Sequence, residues 1–329
     1  MMPQGILERL ADGVVLGDGG YLLELERRGY VRAGPFTPEV SITHPGALEE
    51  LHREFLLAGA EVLQALTFYA SEDKLATVGL GGKVDDINRE AVRIAKSVAA
   101  EGDSLVAMTL SMTWVYDPGD RASEDRIRKQ FDRQLEVAVE SGVDLIIAET
   151  FTWLDEAVIA TQSSKATGLP VITTVAFEQE PHDHKGHSPA DCARRLTDAG
   201  ADVVGINCLR NPANTLPYMQ EMRAAVSTPL ACQPVAYETL PDTPFFTGRP
   251  EFPFRLDPLQ LTRHAMGRYA LEARDMGISY IGSCCGSVAA HVRAMARSLG
   301  KLPDDEAEWR MQEDKPMSAY EAHGHTDGS

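Results

Sequence analysis

The sequence contains no long apolar run. No window in its 329 residues approaches the roughly 20 consecutive apolar residues of a membrane-spanning helix. Residues 1–10 also do not combine a basic segment with an apolar one, as a secretory leader would. We therefore expect no membrane partner and a cytoplasmic location.

Basic residues and cysteines are both scarce. The 31 lysines and arginines are outnumbered by 49 acidic residues, and the net charge of −18 argues against nucleic acid or an anionic membrane surface as a partner. A small cationic or zwitterionic ligand remains compatible with this charge. An odd number of cysteines in a chain of this size is a poor disulfide framework, so we interpret them as thiols kept for a metal or for catalysis. They are Cys192, Cys208, Cys232, Cys284 and Cys285.

The chain does contain a regular alternation of short apolar segments and longer helical patterns. The apolar segments are almost continuously hydrophobic, which predicts strands of a parallel sheet that are buried on both faces. Apolar spacings of three and four between them predict helices, most clearly over Asp85–Ala100 and Arg126–Glu140. The predicted strands are Val14–Asp18, Val62–Phe68, Leu105–Met112, Asp144–Thr150, Val171–Phe177, Val203–Cys208, Leu230–Val235 and Tyr280–Cys284.

Glycine follows several of the predicted helices, at positions 59, 142, 200 and 277. Glycine suits the left-handed conformation just past a helix end, and its recurrence is expected of a repeated βα unit. Eight such units in this length indicate the α/β class and a (β/α)₈ TIM barrel. The alternative is a doubly wound open sheet, whose dinucleotide fingerprint residues 17–20 do not match.

We expect the barrel to form a single domain over residues 1–303. The stretch from Pro234 to Pro258 is rich in proline and aromatic residues and has no helical period, which predicts a long rim loop after strand seven. Residues 304–329 are polar and predict a disordered tail.

Polar and sulfur-bearing residues follow the predicted strands, where the active site of a barrel lies. Cys208, Cys284 and Cys285 end strands six and eight, which are near neighbours, so three thiolates can meet one tetrahedral Zn²⁺ and leave its fourth position open. The alternative, that cysteines are small buried hydrophobes, is preferred for Cys192 and Cys232. A zinc ion with three thiolates can hold a substrate thiol as a thiolate, which indicates alkyl transfer to sulfur.

Two acids and two amides accompany these cysteines. Asp18 and Glu149 end strands one and four and would anchor the amino group of an amino-acid thiol; the alternatives are a solvated loop acid or a helix N-cap. Asn207 and Gln233 would orient the metal ligands or the substrate.

At these residues the sequence resembles the homocysteine S-methyltransferase family and, within it, the betaine–homocysteine S-methyltransferase branch. The resemblance covers about residues 5–299 and rests on seven specific stretches. These are Gly5–Leu10, Gly17–Gly20, Arg28–Val31, Leu51–Phe55, Thr67–Leu75 and the pair Gly205–Cys208 with Gly282–Gly286.

The resemblance implies an enzyme that transfers a methyl group from a small onium donor to homocysteine and forms methionine. It implies Zn²⁺ on Cys208, Cys284 and Cys285, and catalytic roles for Asp18, Glu149 and Tyr69. Substrate binding is expected from the residues around this centre, which are Asp18, Gly19, Phe36, Phe68, Tyr69, Glu149, Asn207 and Gln233.

Two positions differ from the family pattern on the side of the methyl donor. Phe36 and Thr150 stand where the family has tryptophan and tyrosine, and both changes reduce an aromatic cage for a cation. Glycine betaine, a larger betaine and a sulfonium compound therefore all stay open as donors, with Trp114 or Tyr116 as replacement rings. The subunit-joining extension of the betaine branch is largely absent, so its tetramer is not carried over, and a homo-oligomer is left open.

Two other functions are compatible with the sequence. One is a homocysteine-activating module that takes its methyl group from a corrinoid or folate partner, against which the stretch Thr67–Leu75 argues. The other is a non-catalytic zinc-binding barrel, against which the intact acids and cysteines argue.

Overall fold

The computed structural model describes residues 4–302, so the polar tail predicted over residues 304–329 lies outside the described residues. Eight parallel strands form one sheet in the order β1-β8-β7-β6-β5-β4-β3-β2. Helices connect successive strands, as the alternation of patterns predicts. The predicted (β/α)₈ barrel is thus confirmed.

The strands begin close to the predicted positions, and most of them end earlier. The residues that follow leave the sheet and form the rim of the barrel. The strands are β1 (Val15–Leu16), β2 (Val62–Ala65), β3 (Leu105–Ser111), β4 (Leu145–Phe151), β5 (Val171–Val175), β6 (Val203–Asn207), β7 (Leu230–Gln233) and β8 (Tyr280–Ile281).

The helices follow the predicted apolar stripes, with better-defined ends. One helix begins five residues before the predicted Arg126, because the Asp120 side chain accepts a hydrogen bond from Ala122 N at 2.9 Å and caps it. Within residues 4–302 the helices are α1 (Ile6–Asp12), α2 (Leu22–Arg27), α3 (Val40–Thr43), α4 (Pro45–Leu57), α5 (Glu72–Ala76), α6 (Val84–Ala99), α7 (Arg121–Ser141), α8 (Leu154–Ala166), α9 (Pro189–Asp198), α10 (Pro212–Ala225), α11 (Arg263–Asp275) and α12 (Ala289–Ser298).

Glycine residues end the helices as predicted. Gly59, Gly142, Gly200 and Gly277 have φ angles of 99°, 64°, 102° and 77°. No helix between residues 4 and 302 is both long and apolar enough to cross a membrane.

A glutamate side chain closes the barrel between β1 and β2. Glu61 N donates to Leu16 O at 2.8 Å, and Leu16 N donates to the Glu61 carboxylate at 2.8 Å. Lys301 Nζ lies 2.6 Å from the same carboxylate. Since β1 is only two residues long, this side chain replaces the backbone partner that a longer strand would supply.

The core has an inner and an outer layer. The outer layer lies between strands and helices and contains large side chains such as Phe55 and Phe131. The inner layer fills the barrel with residues from alternating strand positions, as the two-residue period of a strand requires. It includes Val15, Val62, Leu105, Ala107, Leu145, Ile147, Ile172, Val203, Ala231 and Tyr280, together with Ile6 of α1.

The long segment between β7 and α11 forms the predicted rim loop. Within it the structure has only single turns of 3₁₀ helix, at Phe246–Gly248 and Asp257–Leu259. Tyr237 and Gln260 form an antiparallel bridge across its base. The loop therefore lies at the carboxyl end of the barrel, above the strand ends.

Candidate active site

Backbone strain is concentrated at the carboxyl ends of the strands. In the described chain, six residues other than glycine have positive φ angles, between 48° and 67°. All six follow a strand or lie in a rim loop, and such conformations persist only where the surroundings impose them. They are Phe36, Tyr69, Trp114, Thr150, Cys208 and Leu209.

Three thiols meet at this end of the barrel, as predicted. The sulfur atoms of Cys208 and Cys285 are 3.6 Å apart, and those of Cys284 and Cys285 are 3.9 Å apart. All three lie within 4.8 Å of one another. Zn–S bonds of about 2.3 Å in a tetrahedron hold sulfur atoms about 3.8 Å apart, so the cluster has the spacing of a tetrahedral metal site.

The protonation of the three thiols also suits a metal. Hydrogen bonds from Cys284 and Cys285 lower the pKa of Cys208, and the pKa values of those two donors are raised because their protons are bound to it. One thiolate is therefore favoured, and the loss of the other two protons requires added positive charge. A metal ion supplies that charge.

A tight turn after β8 places two of the ligands side by side. Cys284 N donates to Pro234 O at 2.9 Å, and Ala236 N donates to Cys285 O at 2.9 Å, so the turn pairs with the chain that leaves β7. Gly286 follows with a φ of 80°, and a Cβ there would lie 2.6 Å from the Tyr237 ring. Only glycine fits at this position.

Asp18 lies just beyond the carboxyl end of β1 and is fully buried. One of its oxygens accepts hydrogen bonds from the Tyr21 hydroxyl at 2.5 Å and from Gln64 N at 2.7 Å. The other oxygen, Oδ1, has no hydrogen-bond partner. Burial raises the pKa of Asp18 to about 7, although these hydrogen bonds oppose the shift. Its free oxygen can therefore accept a hydrogen bond from a positively charged group.

Glu149 is the second buried acid, and Asn207 positions it. Asn207 Nδ2 donates to Glu149 at 2.9 Å and to the Thr150 hydroxyl at 2.6 Å. Its Oδ1 accepts from Thr150 N at 2.8 Å and from the Thr174 hydroxyl at 2.7 Å. Burial raises the pKa of Glu149, and the charges of Cys208 and Asp18 raise it further. The Asn207 amide uses all of its donors and acceptors within the protein, so it positions the Glu149 carboxylate and has no hydrogen bond left for a substrate.

A small cleft opens above these groups. Seven of the predicted site residues line it, and Gln233 among them has a buried Oε1 without a hydrogen-bond partner. Four other predicted residues, Asp18, Asn207, Tyr69 and Phe36, lie beneath or beside this lining. The predicted residues that form the lining are Gly19, Phe68, Glu149, Gln233, Cys208, Cys284 and Cys285.

Gly19 owes its place in the lining to close packing. A Cβ on Gly19 would lie 2.6 Å from the Phe55 ring of α4 and 3.2 Å from the Ser287 hydroxyl. A side chain at this position would therefore displace the residues beneath the cleft.

Aromatic side chains adjoin one side of the cleft, where Phe68 belongs to the lining. The rings of Phe68 and Tyr69 have centroids 4.2 Å apart, and the Trp114 ring is 6.2 Å from that of Tyr69. Burial raises the pKa of Tyr69, and the neighbouring thiolates raise it further, so the phenol stays neutral. Tyr116 instead packs against Trp153 at 5.8 Å. Of the two predicted replacement rings, only Trp114 adjoins Tyr69.

The rim loop covers the thiols with apolar side chains. Phe36 lies 6.2 Å from Phe252, centroid to centroid, and both pack with Tyr237 in the cluster that contains the three cysteines. The two remaining cysteines lie elsewhere. Cys192 is buried in α9 and Cys232 in β7, as predicted for small core residues.

Sequence reasoning did not assign a role to several residues that support the site. His52 Nδ1 lies 2.9 Å from the Tyr21 hydroxyl that binds Asp18. Glu156 is buried and accepts hydrogen bonds from Thr113 N at 2.8 Å and from its hydroxyl at 2.7 Å, which holds the loop that carries Trp114. His52 lies in one of the specific stretches, but its contact with Tyr21 spans 31 residues and becomes visible only in the fold.

Fold and site together define a TIM barrel whose strand ends carry a three-cysteine cluster able to hold a metal ion. A family model described as homocysteine S-methyltransferase matches residues 15–299. Betaine–homocysteine S-methyltransferase 1 of Danio rerio is 46% identical over 315 residues, which cover 92% of this chain and 78% of that protein. The chain therefore belongs to the homocysteine S-methyltransferase family, and the predicted resemblance is confirmed.

Further similarities agree with this assignment. S-methylmethionine–homocysteine S-methyltransferase of Pongo abelii is 42% identical over 304 residues, which cover 90% of this chain and 81% of that protein. The metallated form of the homocysteine methyltransferase MmuM from Escherichia coli superposes with a TM-score of 0.72, at 20% identity, over 88% of this chain and 99% of that one. The structural likeness concerns the fold alone.

Proposed function

We propose that this protein is a zinc-dependent methyltransferase that moves a methyl group from a small onium donor to the thiol of homocysteine. The observation that carries the proposal is the cluster of three thiols at the barrel mouth, which adjoins two buried acids. Membership of the homocysteine S-methyltransferase family supports the same reaction.

Cys208, Cys284 and Cys285 would hold the zinc ion. Their sulfur spacings of 3.6 and 3.9 Å suit a tetrahedron, and thiolates favour zinc over hard cations. Zn²⁺, when bound, would keep the sulfur of homocysteine as a thiolate at neutral pH. Three protein ligands leave one position for that sulfur.

The two acids would bind the amino group of homocysteine. Asp18 Oδ1 and Gln233 Oε1 are buried acceptors without partners, and Glu149 lines the cleft. An ammonium group offers three N–H donors and one positive charge. It would satisfy these acceptors and offset the cost of burying two carboxylates. Binding of the amino group would in turn orient the sulfur of homocysteine.

The reaction would be a displacement at the methyl carbon. The sulfur lone pair forms a bond to the methyl group, the carbon–nitrogen or carbon–sulfur bond of the donor breaks, and its electron pair stays on the donor as a neutral amine or sulfide. The thiol proton of homocysteine is released when the thiolate forms. The ring faces of Tyr69 and Phe68 would attract the cationic donor, and the apolar residues Phe36 and Phe252 would exclude water.

A donor panel tests this proposal. Purified protein is loaded with one equivalent of zinc and incubated with homocysteine and, separately, glycine betaine, a larger betaine, a sulfonium betaine and methylfolate. Methionine formation is followed by chromatography. We expect turnover with at least one onium donor and none with methylfolate.

Other outcomes would point to the alternative functions. Turnover only after a corrinoid protein or folate is added would identify a module that depends on a methyl-carrying partner. No turnover with any donor, together with zinc X-ray absorption spectra that homocysteine leaves unchanged, would indicate a non-catalytic zinc-binding barrel.

A further inference from the structure

Lys74 is the cation that adjoins the aromatic side of the cleft. Its ammonium nitrogen lies 4.3 Å from the centroid of the Tyr69 ring and 5.5 Å from that of Trp114. The side chain is half-buried, and burial lowers the pKa of its amine. The ammonium group thus lies against the two rings expected to receive a cationic donor.

The acids next to Lys74 on α5 are engaged elsewhere. Glu72 binds Arg133 of α7 at 3.1 Å, and Asp73 binds Arg126 and accepts a hydrogen bond from Gln130 Nε2 at 2.8 Å. Among residues 4–302, no side chain or carbonyl accepts a hydrogen bond from Lys74 Nζ; its contacts are with the two rings. A half-buried ammonium group with three unused N–H donors can bind an anion.

The cleft itself offers no positive charge to such an anion. Its described lining includes one carboxylate and three thiols, and none of the lining residues is lysine, arginine or histidine. Phe68 belongs to that lining, and its ring is 4.2 Å from the Tyr69 ring that Lys74 contacts. The Tyr69 ring therefore separates Lys74 from the lining of the cleft. The positive charge of Lys74 is opposite to that of the acidic lining.

We propose that Lys74 binds the carboxylate of a zwitterionic methyl donor, and so selects betaines and sulfonium carboxylates over simple onium cations. The inference rests on the proposed function and names the class of donor. The onium group would lie against the rings, and the carboxylate would extend to the ammonium group. A donor without a carboxylate would meet a like charge on the same rings and would bind less well.

Two matched pairs of donors test the role of Lys74. Glycine betaine is compared with tetramethylammonium, and dimethylsulfonioacetate with trimethylsulfonium, so that each pair differs by the carboxylate. The ratio of kcat/KM within each pair is measured at saturating homocysteine for the zinc-loaded parent, Lys74→Met and Lys74→Arg. A cation that is not turned over is measured by its inhibition constant against the zwitterion of its pair.

We expect Lys74→Met to lower kcat/KM for the zwitterions by about 10- to 100-fold, the loss expected for one charge-assisted hydrogen bond. The loss should appear in KM, with the bare cations unchanged or improved, and Lys74→Arg should retain most of the preference. Lys83→Met is the control, because Lys83 is exposed and bound to Asp86 at 2.8 Å, and it should leave both ratios unchanged. An unchanged KM for homocysteine would show that Lys74→Met is folded.

Failure of this inference differs from failure of the proposed function. If the parent turns over a donor and Lys74→Met keeps the preference for zwitterions, or weakens both members of a pair equally, Lys74 does not bind the carboxylate. If the parent turns over no onium donor of either pair or of the donor panel, the proposed onium-dependent reaction is itself wrong; turnover of the bare cations alone would contradict the inference about Lys74.

Discussion

The two sides of the cleft differ in how they are built. We call the three thiols with Asp18, Glu149 and Asn207 the acceptor side, because we propose that homocysteine binds there. Its two acids are buried and held by strands or by residues that closely follow them. We call Phe36, Phe68, Tyr69 and Trp114 the donor side, because we propose that they receive the methyl donor. These residues lie on loops, and the Trp114 side chain is 62% exposed. Hydrogen bonds determine the position of each acid, whereas ring contacts leave the donor side room to vary. We therefore expect substitutions on the acceptor side to reduce activity more than substitutions on the donor side.

Removal of one proposed metal ligand should have the largest effect. Cys208→Ala leaves two thiols for the metal, so we expect loss of stoichiometric zinc and a loss of methionine formation of more than about 100-fold. Zinc content is measured by atomic emission and activity with the best donor of the panel. Cys192→Ala, which removes a buried thiol of α9, should retain both, and a Cys208→Ala protein with full zinc and activity would contradict the proposed site.

Asp18→Asn should separate substrate binding from stability. We expect the KM for homocysteine to rise about 10- to 100-fold, because a charge-assisted hydrogen bond to the ammonium group is weakened. The pKa of Asp18 is raised by burial to about 7, so ionisation of this group costs the folded state stability as the pH rises above the unfolded value of about 4. The variant should therefore melt at a higher temperature than the parent at pH 8, with a smaller difference at pH 5.

Glu156→Gln is the matched control for Asp18→Asn. Burial raises the pKa of Glu156 to about 7 as well, but this carboxyl group binds Thr113 outside the cleft. Its replacement should leave the KM for homocysteine unchanged. If both variants raise that KM equally, the effect of Asp18 is structural rather than a contact with substrate.

The Asp18 carboxyl group also predicts how the reaction of homocysteine depends on pH. Asp18 is protonated below about pH 7 in the free protein and cannot then attract an ammonium group. We expect kcat/KM for homocysteine to rise as the pH increases through about 7, and this step should be absent in Asp18→Asn. A profile that is identical in both proteins would assign the step to the thiols instead.

A change on the donor side should have the smallest effect. Trp114→Ala removes the exposed ring that lies beside Tyr69. A cation–π contact at an exposed site contributes about 0.5–1 kcal/mol, so we expect the KM for the donor to rise about two- to fivefold. The KM for homocysteine should not change. Tyr116→Phe, whose ring packs against Trp153, is the control. A larger effect on homocysteine than on the donor would remove the distinction between the two sides.

The sequence by itself determined the barrel and the identity of the three thiols that meet at its rim. Eight buried strands with a glycine after several helices leave few architectures, and the carboxyl ends of parallel strands must converge, so Cys208, Cys284 and Cys285 could be grouped although 76 residues separate the first two. The tertiary structure alone decided how these groups are supported. The contacts of Tyr21 and His52 with Asp18, of Asn207 with Glu149, and of Lys74 with Tyr69 depend on side-chain directions at the rim, where backbone strain replaces the regular periods of helix and strand.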